Sequence, residues 1–412
     1  MAGIARIVIV GAGLAGGNAA AALVDAGFKG RVMLVGDEPG IPFGRPPLSK
    51  TYLRGKKDLG GWYVRPPGWY EAHGVEVIKA SVRRVDTRER QALLDSGALL
   101  AYDRLILCSG GHARRATVPG AHLHGIHYLR TIDDCEAIKR DAQPGSHAVV
   151  VGMGFIGSEV AASLRTLGVA VTALMVERAP LERVLGPETG AVMASIHEEH
   201  GVELVPGERL LSFEGSSRVE HVVTESNRRL PCDFVVAGLG IAPELSAVKD
   251  TEIVSDGSAI LVDGRCRTSV PEVFAAGDVA NHLHPLFGRV RVEHYNNAER
   301  MGAAAAHAAL GDPAPYSYLH TFWSDQYEHK LEYAGHAMEW DDFVVRGDLD
   351  NRSFLGFYLK EGVIRAAIGF DRGGDPELDD GCEMQLAAEL VARQVAARAD
   401  VLEDETAPLD DL

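Results

Sequence analysis

The chain has 412 residues, 46% of them hydrophobic and 24% charged, and a net charge of −17. That fits two or three globular domains, and the acidity argues against nucleic acid as a partner. No apolar run reaches the ~18–20 residues of a membrane span, and MAGIA leads directly into a strand with no signal-peptide pattern, so a cytoplasmic protein without membrane contacts is expected.

The first element is a β-branched run, RIVIV, which predicts a buried parallel strand. Gly11, Gly13 and Gly16 follow in the pattern G-x-G-x-x-G and open an alanine-rich helix. In such a turn one glycine makes the tight bend, one lets backbone approach a pyrophosphate, and one lets helix pack on strand. The helix N-terminus then receives the diphosphate. The next strand, RVMLVGDE, ends at Asp37 and Glu38, where a carboxylate can bind ribose hydroxyls; Asp37 is the first choice and Glu38 the second. A long loop holds GRPPLSK, Gly44 to Lys50, whose prolines stiffen it while Arg45 and Lys50 present cations to a diphosphate or a reducible ring. Further strands end at YDRLILCSGG.

A second start follows Pro144-Gly145: the strand HAVVV, then Gly152, Gly154 and Gly157, a helix, and the strand VTALMVE. This unit closes near DFVVAGLGIAP, after which VFAAGD and a helix from about Asn296 to Ala309 return to the first domain. From Tyr318 the chain alternates short strands (KLEYAGH, DFVVRGD, SFLGFYL, VIRAAIGF) and closes on an amphipathic helix, EMQLAAELVARQVAARA. Asp371 to Leu412 contain 13 acids and 3 bases, which suggests a solvated acidic tail. The expected fold class is α/β: two Rossmann-like dinucleotide-binding domains plus a C-terminal α+β domain, in a glutathione-reductase-like architecture. The expected boundaries are 1–113 with 245–317 for the FAD domain, 114–244 for the NAD domain, and 318–412 for the C-terminal domain. Two fingerprints in one chain predict two dinucleotides, hence a flavin enzyme that uses a nicotinamide cofactor.

The loop PFGRPPLSK, the paired fingerprints and the later FWSDQY, in that order, resemble the oxygenase-coupled NADH-dependent ferredoxin reductases, the putidaredoxin-reductase-like family, over essentially the whole chain. Apoptosis-inducing factor is similar in fold. The resemblance implies that Arg45 contacts the adenine and diphosphate region of FAD, that Arg130 adds a second cation, and that Val82 also touches the cofactor. It puts Lys50 beside flavin N5, paired with Glu159. Such a cation favours a ring gaining electrons, and the carboxylate keeps the lysine charged; alternatively Glu159 is an ordinary acid at a helix N-terminus. Gly277 would pass close to FAD and Asp278 would accept from the ribityl hydroxyls. The helix opening at EHYNNAER would face the flavin pyrimidine edge, with Asn296 or Asn297 as N-cap. Tyr295 stands where the family usually has tryptophan. The second fingerprint would hold NADH, with Glu177 on the 2′-hydroxyl; NADPH is disfavoured, although Arg178 next door could receive a phosphate. Gly240 would lie near the nicotinamide, Trp323 would align the two rings, and Phe155 would either gate the flavin face or simply pack.

Other signals are discounted. HEEH at His197 to His200 lacks the spacing of a zinc-protease helix and predicts a solvated helix face. His282 and His284 are expected to be loop residues, with no metal bound. Cys108, Cys135, Cys232, Cys266 and Cys382 are scattered and odd in number, which fits a reducing compartment and argues against disulfide, persulfide or coenzyme A disulfide reduction. The resemblance thus implies an NADH-to-ferredoxin reductase acting on a [2Fe–2S] ferredoxin of a P450 or ring-hydroxylating oxygenase, as monomer or homodimer. Rubredoxin is the substitute acceptor, and a redox-responsive interaction protein like apoptosis-inducing factor is the alternative of a different class.

Overall fold

Ile7, Val8 and Ile9 are wholly buried, as a parallel strand covered on both faces requires. In the computed structural model, which describes residues 3–38 and 40–412, they sit mid-sheet. The five-stranded parallel sheet runs Val273–Ala275, Arg104–Leu107, Arg6–Val10, Arg31–Gly36, Val75–Lys79. Val8 lies opposite Met33 on one side and Leu105 on the other. This is the doubly wound order, so the fingerprint turn emerges at the point where strand order reverses. The helix Leu14–Asp25 crosses Tyr295–Ala309 closely: a Cβ on Gly302 would stand 2.2 Å from the Ala15 carbonyl oxygen. This compact unit comprises the chain up to Arg45, Leu59–His112 and Ile241–His320.

The second unit comprises Pro46–Asp58, Ala113–Gly240 and Thr321–Leu412. Its parallel sheet repeats the first: Val202–Val205, Ala170–Leu174, His147–Val151, Phe234–Ala237, Ile126–His127. Its antiparallel sheet runs Thr321–Gln326, His329–Gly335, Val363–Phe370, Ser353–Lys360, Asp342–Asp348. Residues 114–240 and 321–412, expected to belong to separate domains, fall in one unit and share a core. Leu185, Val192, Met193 and Ile196 of the helix Glu182–Glu199 pack with Phe322, Tyr333, Phe354, Tyr358 and Ile368 of that sheet. The stretch 46–58 also belongs here rather than with the first domain. Its 3₁₀ turn Pro46–Ser49 is held by Ser163, whose hydroxyl donates to the Ser49 carbonyl at 2.6 Å, and by Cys135, whose thiol donates to the Leu48 carbonyl at 3.1 Å.

Two expectations for the C-terminus change. The closing helix covers only Glu383–Ala392. Gln394 adopts φ 52°, and the Gln394 and Val395 N–H groups return to the Val391 and Leu390 carbonyls, each at 3.0 Å, which ends the helix as a Schellman motif. The acidic tail is docked through its backbone, while Glu403, Asp404, Glu405, Asp410 and Asp411 stay exposed. The buried Arg346 guanidinium donates to the carbonyls of Asp404 (2.6 Å), Ala407 (2.9 Å), Glu405 (3.1 Å) and Leu402 (3.4 Å), and the Leu402 and Leu409 side chains are buried. No helix among the described residues is long and apolar enough to cross a membrane.

Replacing Arg346 with alanine strands those carbonyls, so a loss of about 2–4 kcal/mol is expected, with earlier proteolytic trimming of the last dozen or so residues. Urea melts and timed proteolysis check it; an unchanged midpoint would remove the anchoring role.

Candidate functional site

Each fingerprint folds as its glycines dictate. Gly11 has φ +105°, and a Cβ there would lie 2.1 Å from the Cys108 carbonyl oxygen; at Gly16 it would lie 1.8 Å from that of Gly11. Gly13 meets nothing within 4 Å on its Cβ side, and as N-cap of Leu14–Asp25 it makes no side-chain capping bond. The second copy repeats this. Gly152 has φ +88° and its Cβ would lie 2.5 Å from the Gly238 carbonyl oxygen, and that of Gly157 would lie 1.9 Å from that of Gly152. Gly154 is open on its Cβ side and caps Phe155–Thr166 without a side chain. Backbone open at the middle glycine, beside helix N–H groups with no side-chain cap, fits a diphosphate in both places.

Around the first cradle, Asp37 is exposed at its strand end and accepts from Ser81 Oγ at 3.1 Å. Glu38 instead takes Arg45 through its two terminal guanidinium nitrogens, at 2.6 and 3.2 Å, and that guanidinium lies 5.4 Å from the centre of the Phe43 ring. Val82 is half-buried where the strand Val82–Asp86 begins. Gly277, at φ +77°, brings its Cα side against Ala15, and Asp278 is buried in the turn that follows. The helix Tyr295–Ala309 has His294 as N-cap, without a side-chain capping bond, so neither Asn296 nor Asn297 is the cap. Asn297 is occupied inside: its Nδ2 donates to the Val292 carbonyl and its Oδ1 accepts from Tyr316. Tyr295 meets Trp62 edge-on at 5.9 Å, and burial pushes its phenol up to about 12.

Around the second cradle, Glu177 is half-buried just beyond the strand Ala170–Leu174, and its carboxylate forms no hydrogen bond or ion pair among the described residues. Gly240, at φ +85°, meets only the Arg114 side chain, 3.9 Å from its Cβ position. Arg130 directly precedes the capping box of Thr131 and Asp134 and donates its N–H to Asp134.

Lys50 and Glu159 come together: Nζ lies 2.7 Å from Oε1, with Lys50 9% and Glu159 5% exposed. Two hydroxyls complete the carboxylate, Ser49 on Oε2 at 2.5 Å and Ser324 on Oε1 at 2.7 Å. A buried ion pair is tolerable only with its remaining lone pairs satisfied, which these serines achieve. Strand alternation turns Phe322, Ser324 and Gln326 to one face, where Phe322 meets Phe155 edge-on at 4.9 Å, and Trp323 to the other. The residues missed by sequence reasoning are Ser49 and Ser324; their adjacency to Lys50 and Trp323 was the available signal.

In HEEH, Glu198 and Glu199 are exposed as on a solvated face, but the two histidines are not. His197 is wholly buried, bonded through Nε2 to Ser158 at 2.7 Å and through Nδ1 to the Tyr327 hydroxyl at 3.0 Å, while Ser158 also donates to Gln326 at 2.8 Å. Burial depresses its pKa to about 4, so it is neutral. His282 and His284 lie on the strand Ala280–His284, not in a loop; they are buried, and both rings pack against His320. No group of three or more histidine, cysteine or carboxylate ligands suited to a metal exists among the described residues.

Two open diphosphate cradles and a hydroxyl-completed ion pair define a flavin- and nicotinamide-dependent oxidoreductase. The pyridine nucleotide-disulphide oxidoreductase family model matches residues 5–302 and a reductase C-terminal model matches 321–412; the chain belongs to this family. It is 36% identical to the ferredoxin–NAD(+) reductase component of the biphenyl dioxygenase system of Paraburkholderia xenovorans, over 99% of this chain and 98% of that one. It is 38% identical to rhodocoxin reductase of Rhodococcus erythropolis, over 85% and 83% respectively. The reductase in the covalent putidaredoxin reductase–putidaredoxin complex superposes with a TM-score of 0.92 at 33% identity, over 99% of this chain and 97% of that one.

Directly across the strand pair from Trp323 is Glu332, buried beside Lys330 at 2.5 Å. Burial, only partly offset by that ammonium, pushes the carboxyl up from 4.5 to about 7. The folded state therefore takes up a proton between those values, and this contribution to stability is lost as pH rises through about 7. A Glu332→Gln variant is expected to melt near the parent at pH 5 and above it at pH 8; equal melting temperatures at pH 8 would contradict the shift.

Proposed function

We propose that the chain passes electrons from NADH through FAD to a [2Fe–2S] ferredoxin that serves a P450 or ring-hydroxylating oxygenase, in a reducing cytoplasm. The observation that carries this reading is the buried Lys50–Glu159 pair, in a chain that matches ferredoxin reductases end to end and has no paired cysteines. All five thiols are free, and burial pushes those of Cys108, Cys135 and Cys232 up to about 12, far from a reactive thiolate. Disulfide chemistry is thus poorly supported despite the family's name.

When bound, FAD accepts a hydride from NADH and releases electrons singly, which joins a two-electron donor to a one-electron acceptor. Gly11, Gly13 and Gly16 would hold its diphosphate, with Asp37 on the adenosine ribose, Asp278 on the ribityl chain, and Arg45, Arg130 and Val82 lining it. Gly277 would admit the cofactor closely, and Tyr295 would begin the helix whose dipole favours the reduced ring. Gly152, Gly154 and Gly157 would hold NADH, with Glu177 on the 2′-hydroxyl and Gly240 toward the nicotinamide. Lys50 would place positive charge beside the flavin, Glu159 pairs with it, and Ser49 and Ser324 hold Glu159 in place. Trp323 would align the two rings and Phe155 would gate the flavin face.

Purified protein is expected to be yellow, to bleach with NADH, and to regain its colour rapidly with a [2Fe–2S] ferredoxin. Absence of flavin, or bleaching without reoxidation by any ferredoxin or rubredoxin, would sink the reading. Lys50→Met should slow flavin reduction by roughly 10²-fold while leaving nucleotide affinity within about twofold; stopped-flow absorbance separates the two.

A further inference from the structure

The helix Glu182–Glu199 is broken at Gly186, which has φ +84° and ψ 168° and precedes Pro187. The break houses an indole from the C-terminal section. A Cβ on Gly186 would stand 3.1 Å from Trp340 Cζ2, and the indole meets Tyr358 edge-on at 5.0 Å. Tyr358 in turn donates its hydroxyl to the Leu185 carbonyl at 2.8 Å, which ties the helix end to the strand beneath the indole. Trp340 is therefore held by the fold, and it is half-buried rather than enclosed.

The indole lines a cavity of about 420 Å³ together with Glu177, Arg178, Arg183 and Pro187. Glu182 also borders it, but its Oε2 is engaged by the N–H groups of Arg178 and Ala179 at 2.7 and 3.0 Å. Glu177 is thus the carboxylate with both oxygens still able to take a diol. A cavity of that size, with one flat aromatic wall and one uncommitted carboxylate at the end of the second Rossmann strand, suits a nucleoside.

We propose that Trp340 packs against the adenine of the nicotinamide cofactor, so that the C-terminal section helps to bind the adenosine half. This rests on the assignment of the second fingerprint to NADH. The test is calorimetric titration of the FAD-loaded protein with ADP-ribose, which carries the adenosine half without nicotinamide. Trp340→Ala should weaken ADP-ribose about tenfold, a typical loss for a base–aromatic contact, and Trp340→Phe should weaken it less. Flavin reduction by reduced nicotinamide mononucleotide, which lacks adenosine, should be unchanged in both. Unchanged ADP-ribose affinity in Trp340→Ala would overturn the proposal, as would parallel loss of both readouts in both variants, which would assign the indole to the fold alone. If Glu177→Ala weakened ADP-ribose and Trp340→Ala did not, the nucleotide assignment would stand without the tryptophan. If ADP-ribose failed to bind the parent protein, both would fall.

Discussion

The constraint on which both nucleotide folds depend is made by two absent side chains. At Gly16 and Gly157 a methyl group would lie within 2 Å of the carbonyl oxygen of the glycine five residues earlier. Only a hydrogen fits there, so each Rossmann helix can sit down on its strand with its N-terminus at the strand's open end. In both units the anion-ready end of a helix is therefore fixed by packing rather than by a capping side chain.

Glu159 concentrates a second constraint. Its carboxylate, on the fingerprint helix, is completed by groups from two other stretches: Lys50 and Ser49 on the loop turn, and Ser324 on the first C-terminal strand. Removing any one hydroxyl exposes a lone pair in a site that water scarcely reaches. The chain Ser324–Gln326–Ser158–His197 extends the same logic inward, so that polar groups mid-core are paired with one another.

Much of this was legible in the sequence, and unevenly so. Local patterns identified both fingerprints, the two βαβ series and the late antiparallel strands, because glycine spacing and β-branched runs report on backbone a few residues away. The Lys50–Glu159 contact spans 109 positions and came only through resemblance to a known family. His197 was misjudged because the acids beside it look solvated, whereas its own burial depends on Gln326 and Tyr327 far along the chain. Likewise, nothing local in ETAPLDDL says that Arg346 gathers its backbone, and the helix end at Gln394 lacks the glycine that usually marks it.

The core shared between Leu185, Val192, Met193, Ile196 and the C-terminal sheet bears on how such reductases diversify and can be recombined. A crossover placed at residue 318, where sequence alone would put a domain border, would pair a foreign sheet with a helix shaped for Phe322, Tyr333 and Tyr358. The unit of exchange that keeps its interior intact is the second Rossmann half together with everything after Thr321 and the turn at Pro46–Ser49. Grafting a new C-terminal face onto this chain is thus a repacking problem as much as a surface problem, and Leu185, Val192, Met193 and Ile196 would have to travel with it.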